Sequence, residues 1–304
     1  MKARLVLQPP SSMVQPGSLG ALVVDLVALT KPPIILLLLT TAIGAMFLAA
    51  QGPPPWSTAL LVVLGGSLGA GGANALNHYL DRDIDGRMAR TRWRPLPDHR
   101  IEARTALIFG VVLNVIAFAV LAGGVNLLSA ALTMGATAFY ILVYTHWLKR
   151  STTQNIVIGG AAGAFPPLIG WAAITGGLAL PALYLFAIVF FWTPPHFWAL
   201  ALMMQRDYAE ADVPMLPVVH GVAATTSSIM LHSVILVTLS ILFFTVEGLG
   251  WIYVAAALGL GGVFLYRAWR LLRSGAIRDA RSLYLYSLLY LALLFMAIVI
   301  DSSV

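Results

Sequence analysis

The sequence predicts an all-α, polytopic membrane protein, a bundle of about nine transmembrane helices. Hydrophobic residues make up 60% of the chain and charged residues only 10%, whereas a soluble domain carries about 25% charged residues. Apolar runs long enough to cross a bilayer recur along the chain, and Lys and Arg fall only in alternate connections between them. A chain this apolar cannot cover itself with a polar surface, so lipid is its expected solvent.

Each predicted span is a run of roughly 20 mostly apolar residues. The N-terminal residues show neither a secretory signal nor a transit peptide, which favours a multi-pass protein of the bacterial plasma (inner) membrane. We expect one integral membrane domain over residues 1–304, in which residues 1–25 form a short cytoplasmic N-terminal tail. The spans are expected at 32–50, 57–79, 104–122, 127–146, 155–176, 180–203, 227–246, 250–268 and 284–301.

The basic residues predict the orientation of the bundle. The first, third, fifth and seventh connections (QGPPPW, GGVN, TGGLAL and EGLG) contain no Lys or Arg, so all 18 basic residues lie on one side. Because positive residues remain cytoplasmic, the N-terminus is expected inside and the C-terminus outside. This topology also explains the net charge of +6, and no nucleic-acid partner is predicted. Cysteine is absent, so any metal must be held by oxygen or imidazole ligands.

The densest polar segment lies at the end of the second span. Asn77, Asp81 and Asp85 are spaced four residues apart, which places them on one face of a helix. Carboxylates are costly in or near a bilayer and are functional candidates there. Mg²⁺ takes one or two protein carboxylates and completes its shell with water and phosphate. We therefore predict that Asp81 and Asp85 bind magnesium; a solvated loop whose Asp residues pair with nearby Arg is the alternative.

Basic residues follow this segment directly. Arginine binds phosphate oxygens in a bidentate manner, and Arg90 and Arg94 are therefore candidate clamps for a diphosphate. Lys31, Lys149 and Arg150 are expected at the same membrane face, as substrate-binding residues. The preference of basic residues for the cytoplasmic side is the competing explanation for each of these charges.

A second acidic segment follows the sixth span and suggests a repeated half that faces a shared cavity. Asp207 is a candidate catalytic residue and metal ligand, and Tyr208 beside it a candidate substrate-binding residue. Two acidic clusters could hold two magnesium ions on one diphosphate, whereas a surface loop is the alternative interpretation. Tyr144, in the fourth connection, adds a phenol at the same face.

These motifs together resemble those of the UbiA-type intramembrane prenyltransferase superfamily and, within it, the haem O synthase (protohaem IX farnesyltransferase) subfamily. The resemblance covers residues 30–301, nearly the whole chain. Besides the first motif, it rests on YTHWLKRSTTQNIVIGGAAGAFPPLIGWAA from Tyr144, on PPHFWALAL from Pro194 and on DYAEADVPMLPVV from Asp207.

The resemblance implies a Mg²⁺-dependent enzyme that transfers the farnesyl group of farnesyl diphosphate to a vinyl group of haem B. The products would be haem O and diphosphate, whose departure Mg²⁺ and arginine would stabilise. The implied partners are these substrates, the lipid bilayer and a downstream haem A synthase. The implied catalytic residues are Asn77, Asp81, Asp85, Arg90, Arg94 and Asp207, and the implied substrate contacts are Lys31, Tyr144, Lys149, Arg150, His196 and Tyr208.

Two points stay open within the resemblance. Many superfamily members carry Asp four residues after the first Asp of the second motif, where this chain has Ala211, and the role of Asp212 is not defined. His196 follows paired prolines among aromatic residues and could ligate haem iron or orient a substrate, with hydrogen-bonded packing as the alternative. The other histidines that could contact iron are His78, His146 and His220.

Three other functions were weighed against this one. A related prenyltransferase could use another aromatic acceptor, such as 4-hydroxybenzoate or a chlorophyll-type ring, but the form of the second motif favours haem. A transporter would suit repeated halves with intramembrane prolines, yet it should hold its polar groups near the midplane rather than at one face. A purely structural membrane subunit leaves the spacing of the carboxylates unexplained.

Overall fold

A computed structural model describes residues 18–245 and 249–304, and in these residues the fold is entirely helical. Nine of the described helices are long and apolar enough to cross a membrane, which confirms the predicted fold class. Two short helices and a single helical turn accompany them. In chain order the helices are α1 Leu19–Thr30, α2 Pro32–Ala50, α3 Trp56–Arg87, α4 Ala103–Gly124, α5 Leu127–Ser151, α6 Asn155–Thr175, α7 Leu180–Met203, α8 Gln205–Glu210, α9 Leu216–Val219, α10 Gly221–Thr245, α11 Trp251–Ser274 and α12 Ile277–Asp301.

Helix α1 is the element that the sequence analysis did not foresee, because it placed residues 19–25 in a tail. The side chain of Ser18 caps this helix by accepting a hydrogen bond from the amide of Ala21 at 3.2 Å. At twelve residues α1 is too short to span a bilayer. It ends at Lys31, which adopts a left-handed conformation with φ of 53° and turns the chain into α2. Residues 1–17, the rest of the expected tail, lie outside the described residues.

The spans pack as a closed arrangement in which most sequential neighbours are in contact. Helices α3, α4, α5, α6 and α7 each pack on the next, and α7 packs on α10 and α12. Helix α2 closes the bundle by packing against both α6 and α12. The ends of the second, fourth, sixth and eighth spans therefore lie at the same end of the bundle as the start of α2.

Small residues allow the closest of these helix contacts. A methyl group on Gly72 would meet the carbonyl oxygen of Gly110 at 2.7 Å, so α3 and α4 touch through their backbones. In the same way a Cβ on Gly170 of α6 would collide with the carbonyl of Ala42 of α2. The first of these contacts fixes α3, which carries the first acidic motif, against α4.

The outer surface of the bundle is apolar, and its two ends differ in charge. Large aliphatic side chains such as Leu60, Val115 and Leu231 are exposed along the spans, as expected for contact with lipid. Trp56 and Trp251 are exposed at the end without basic residues, and Trp93 and Trp147 at the opposite end. Tryptophan is enriched at both membrane interfaces, so these residues mark the two edges of the apolar zone.

Candidate functional site

The first acidic motif lies within α3, which continues without interruption to Arg87. Asn77, Asp81 and Asp85 are 3%, 1% and 2% exposed and face the interior of the bundle. The four-residue spacing thus does place the amide and the two carboxylates on one buried face, as predicted. Burial of a charged carboxylate is costly unless cations or hydrogen-bond donors compensate its charge. The neighbours of Asp81 and Asp85 therefore decide how each charge is stabilised.

Asp81 is compensated by a lysine from α5. The ammonium of Lys149 lies 2.5 Å from Oδ2 of Asp81, and the amide of Asn77 donates to the same oxygen at 2.7 Å. Both partners of the ion pair are buried. The other oxygen, Oδ1, is buried and accepts no hydrogen bond from the described residues. Arg150 lies 3.8 Å from this oxygen. Asp81 therefore retains one acceptor without a hydrogen bond.

Asn77 connects three elements around Asp81. Its Oδ1 accepts a hydrogen bond from the ammonium of Lys31 at 2.9 Å, and its Nδ2 also donates to the hydroxyl of Thr145 at 3.1 Å. The neighbouring Asn74 donates to the carbonyl of Thr30 at 2.9 Å. The corner between α1 and α2 is thereby fastened to α3, and Lys31 is held over the acidic face.

Asp85 is compensated by an arginine from the connection between α3 and α4. Arg94 lies 2.7 Å from Oδ2 of Asp85. The loop is folded back by Thr91, whose hydroxyl donates to the carbonyl of Asp85 at 2.8 Å. Nδ1 of the buried His78 lies 3.8 Å from the same carboxylate, and neither ring nitrogen has a hydrogen-bond partner among the described residues.

The remaining basic candidates differ in their surroundings. Arg150 forms a bidentate pair with Asp83, both contacts being 2.8 Å, and also donates to the carbonyl of Leu80. Arg90 is exposed and makes no side-chain hydrogen bond with the part of the chain that the structure describes. Lys31, Lys149 and Arg94 thus contact the predicted acidic face directly, Arg150 lies at its edge, and Arg90 does not touch it.

Removal from water and the proximity of other cations lower the pKa of Lys31 to about 7. Burial is the largest cause, and Arg94 and Lys149 add to it, whereas Asp85 and Asp81 oppose it. The lysine is therefore close to losing its charge at neutral pH. An anion in the site would favour the charged form and raise this pKa.

The second acidic segment reaches the site through Tyr208. This residue of α8 is buried, and burial raises its pKa. Arg90 and Arg94 lower the same pKa, while Asp207 and Asp81 raise it, so the phenol lies within electrostatic range of both motifs. The Asp207 side chain is partly exposed and forms no hydrogen bond or ion pair within the described residues.

Asp212, whose role the sequence left open, is exposed and has a φ of 55°. It forms an ion pair with Arg87 at 3.2 Å between two exposed side chains. This contact joins the two loops at the surface of the bundle. It also turns the Asp212 carboxylate towards a cation rather than towards the buried acidic face.

Tyr144 lies in a segment of α5 that forms a π-helix, Phe139–Leu148. Such π-helical turns are rare in proteins overall, and those that do occur are often found at functional sites. The ring of Tyr144 stacks on that of Tyr140, with centroids 5.6 Å apart. On the other side it fills the space left by Gly159 of α6, where a Cβ would collide with the ring. The position of Tyr144 thus depends on the absence of a side chain at Gly159.

His196 lies in α7, which continues through Pro194 and Pro195. Its ring is stacked between Trp192 and Tyr284, with centroid distances of 4.3 and 4.8 Å. Its Nδ1 lies 2.6 Å from the hydroxyl of Ser287 on α12. The other iron candidates are placed differently, because His78 belongs to the acidic face, while His146 and His220 are exposed at the basic end.

The oxygen donors of the site meet the needs of the predicted magnesium ion only in part. Within residues 18–245 and 249–304, no three His, Asp or Glu side chains gather closely enough to hold a metal by themselves. Asp81, Asp85 and Asp207 therefore do not form a complete ligand set. Mg²⁺ needs only one or two carboxylates when substrate phosphates complete its shell, and the free Oδ1 of Asp81 is an oxygen ligand of that kind. The residues fit a metal that binds together with a diphosphate.

Sequence reasoning missed several residues that organise the site. Thr145 precedes Lys149 by four residues, and this spacing on α5 is the signal that could have identified it. Tyr140 precedes Tyr144 by the same four residues, whereas Thr91 and Ser287 carry no comparable signal, because their partners are set by loop folding or by helix packing. The pair formed by Arg100 and Asp25, which joins the loop after α3 to α1, was missed for the same reason.

The spanning helices of the described chain, with buried carboxylates and cations gathered at one end, have the architecture of an intramembrane prenyltransferase. The profile of the UbiA prenyltransferase family matches residues 37–299. The chain belongs to this family, which confirms the resemblance seen in the sequence.

Solved structures share the fold at low sequence identity. A digeranylgeranylglyceryl phosphate synthase superposes with a TM-score of 0.75 and 19% identity over 92% of this chain and 98% of its own. A UbiA homologue from Archaeoglobus fulgidus, bound to DMAPP and Mg²⁺, superposes with a TM-score of 0.66 and 18% identity over 90% and 99%. These likenesses concern the arrangement of the helices.

Curated relatives are closer in sequence. Proteins named protoheme IX farnesyltransferase are 50% identical in Synechocystis sp., over 95% of this chain and 92% of the relative, and 51% identical in Thermus thermophilus, over 99% and 50%. The relative from Roseiflexus castenholzii is 50% identical over 93% and 53%. The chain thus spans about half the length of two of these relatives and nearly all of the third.

Proposed function

We propose that this protein transfers the farnesyl group of farnesyl diphosphate to a vinyl group of haem B, giving haem O. Support comes from the relatives named protoheme IX farnesyltransferase, which are about half identical to this chain. The structural observation that carries the proposal is the buried face of α3, on which Asp81 and Asp85 are each paired with a cation. Such paired charges suit a diphosphate that binds together with a divalent cation.

The acidic face binds the leaving group through exchange of partners. When a diphosphate enters, the cations Lys31, Lys149 and Arg94 turn from carboxylate or amide oxygens to its phosphate oxygens. The carboxylates they release, Asp81 first of all through its free Oδ1, become available to a metal. Mg²⁺, when bound there, would neutralise negative charge that develops on the departing diphosphate. That a UbiA homologue from Archaeoglobus fulgidus binds DMAPP and Mg²⁺ is consistent with this arrangement.

The reaction breaks the bond between C1 of the farnesyl chain and the diphosphate oxygen. Lys31, Lys149 and Arg94 hold the negative charge as it grows on the leaving group, which is the electrostatic part of catalysis. The terminal vinyl carbon of haem B forms a new bond to C1, water adds to the other vinyl carbon, and a proton is released. The apolar spans exclude water from the allylic cation until the carbon–carbon bond has formed.

The remaining candidates are assigned by their positions. Tyr208, within electrostatic range of both motifs, would contact the diphosphate, and Asp207 of α8 would complete the metal shell with the substrate bound. Arg90 and Arg150 act at the rim of the site, where they attract the anionic substrate. The aromatic residues around His196 form the acceptor side, because they give a mostly apolar surface that suits a porphyrin.

The setting of the enzyme is part of the proposal. All basic residues of the described chain lie at one end of the bundle, and we assign this end to the cytoplasm of a bacterium, with the spans in the plasma membrane. The N-terminus is then inside and the C-terminus outside. The product is a membrane-bound haem, which a haem A synthase would receive next.

One experiment tests the reaction and the acceptor together. Membranes that contain the protein are supplied with haem B and farnesyl diphosphate, with and without Mg²⁺, and the extracted haems are separated and weighed by mass spectrometry. We expect a farnesylated, hydrated haem that appears only with Mg²⁺. If 4-hydroxybenzoate is prenylated in place of haem, the acceptor is wrong; if no acceptor is prenylated by folded protein, the reaction class is wrong.

Asp81→Asn serves as the inactive variant in this experiment, and Asp279→Asn as its matched control. Asp279 is also buried and also paired with an arginine, Arg270, at 2.8 Å on the same end of the bundle. It lies on α12, away from the acidic face. The proposal requires that only the first variant lose the product, because general destabilisation by an unpaired cation would affect both.

A further inference from the structure

The hydrogen bonds around His196 define which of its two nitrogens carries the proton. The hydroxyl of Ser287 lies 2.6 Å from Nδ1 of His196 and 2.7 Å from the carbonyl oxygen of Tyr284. A serine hydroxyl has one proton to donate, and a carbonyl oxygen can only accept. The hydroxyl therefore donates to Tyr284, because two acceptors would otherwise face each other at 2.7 Å. It follows that Nδ1 of His196 is protonated and donates to Ser287.

A neutral histidine with a proton on Nδ1 has its lone pair on Nε2. Among the residues that the structure describes, nothing forms a hydrogen bond with Nε2 of His196. The ring cannot rotate freely, since it is stacked between Trp192 and Tyr284. Trp192 is itself held by Ser287, whose carbonyl accepts a hydrogen bond from the indole at 2.7 Å. Ser287 thus orients both the imidazole and one of the rings that enclose it.

A free Nε2 on an oriented neutral imidazole is the usual ligand of a transition metal. In such sites the other ring nitrogen donates to an oxygen of the protein, which fixes the tautomer and the direction of the ring. Ser287 occupies this outer position for His196. The aromatic rings on both sides are nearly parallel to the imidazole, at 17° and 25°, and hold it in one plane.

We propose that Nε2 of His196 is an axial ligand of the haem iron during acceptor binding. Ser287 is the positioning residue that sets the tautomer and the direction of the ring. The inference rests on the proposed function, because it names an iron porphyrin as the occupant. It adds the ligating atom, the tautomer and the residue that sets it.

His232, in the same half of the bundle, is the histidine with which the assignment of His196 must be compared. Its Nδ1 lies 2.9 Å from the carbonyl of Ser228, so it has the same tautomer as His196. It packs against Phe191 and Trp198 rather than between two parallel rings. If tautomer alone were sufficient, His232 could serve as the ligand equally well, and the experiment must separate the two histidines.

The test uses the purified full-length protein with haem B alone, without a prenyl diphosphate. In the ferrous protein we expect an iron–histidine stretching band in the resonance Raman spectrum. His196→Gly should lose the band, and added imidazole should restore it, which a merely structural role of the side chain would not allow. Ser287→Ala should weaken haem binding by about 10- to 100-fold, the usual cost of removing the outer partner of a metal-bound histidine. Ser287→Thr, which keeps a hydroxyl, should retain most of the affinity, and His232→Ala should leave the band unchanged.

The outcomes separate this inference from the proposed function. A band that persists in His196→Gly, or that disappears in His232→Ala, overturns the assignment of His196 whether or not haem is farnesylated. Bound five-coordinate, high-spin ferrous haem without any iron–histidine band in the wild type also overturns it. If instead the band behaves as expected but no farnesylated haem forms with Mg²⁺ and farnesyl diphosphate, the proposed reaction fails and the haem site stands. The melting temperature of each variant in detergent verifies that it is folded.

Discussion

The ion pair between Lys149 and Asp81 gives the sharpest test of the site, because it predicts opposite results for stability and for activity. The two side chains are buried and 2.5 Å apart. Replacement of Lys149 by Met leaves the Asp81 carboxylate buried with one hydrogen bond from Asn77 and only the more distant cation Arg150, at 3.8 Å. The single variant therefore carries a poorly compensated charge.

The expected magnitudes follow from these contacts. Removal of one partner from a buried pair costs about 3–5 kcal/mol of stability, whereas removal of both partners is often neutral. Lys149→Met and Asp81→Asn should therefore each lower the apparent melting temperature in detergent, and the double variant should recover most of the loss. Loss of one preorganised contact to a developing anion costs about 10²–10³-fold in kcat. The single Lys149→Met variant should lose about this much activity, and the double variant should not recover it.

The assay measures kcat and KM for the prenyl diphosphate together with the melting temperature, for the wild type, both single variants and the double variant. Arg270→Met, which breaks the pair with Asp279 on α12, is the control, since it should lower stability but leave activity of the folded protein intact. If the double variant loses as much stability as the two single variants lose together, the ion pair does not form. Activity of Lys149→Met within threefold of the wild type would remove this lysine from the diphosphate site.

Two other predictions use single contacts. Because the pKa of Lys31 is lowered to about 7 in the empty site and a bound anion raises it, diphosphate affinity should fall up to about tenfold per pH unit above pH 7. Lys31→Arg should remove this part of the pH dependence; equal slopes for both proteins in titrations with farnesyl diphosphate would contradict the prediction. Gly159→Ala should displace the ring of Tyr144, at about 1–3 kcal/mol of strain, and lower kcat/KM about tenfold. Gly163→Ala in the same helix meets nothing within 4 Å and should be neutral, so a similar loss in both would refute a specific role of the Tyr144 contact.

The sequence by itself determined the class of fold and the location of the first motif. A membrane span is defined by its length and apolarity, which are local properties, and so the predicted runs agree with the nine described spans to within a few residues at most of their ends. The second span is the largest exception, since it ends at Arg87 rather than at 79, and the ninth begins at Ile277 rather than at 284. The relation of Asn77 to Asp81 and Asp85 was equally local, because it depends only on the period of one helix. Helix α1 was missed because it is too short to meet the criterion for a span.

Only the tertiary structure decided which cation compensates which carboxylate. Lys149 reaches Asp81 across 68 residues of sequence, Lys31 reaches Asn77 across 46, and Ser287 reaches His196 across 91. From the sequence, Arg150 was as good a candidate for Asp81 as Lys149, yet it binds Asp83. Such pairings depend on how far each helix extends, on its rotation about its axis and on the small residues that let it approach its neighbour. These quantities are set by the packing of the whole bundle and have no signature in any one segment.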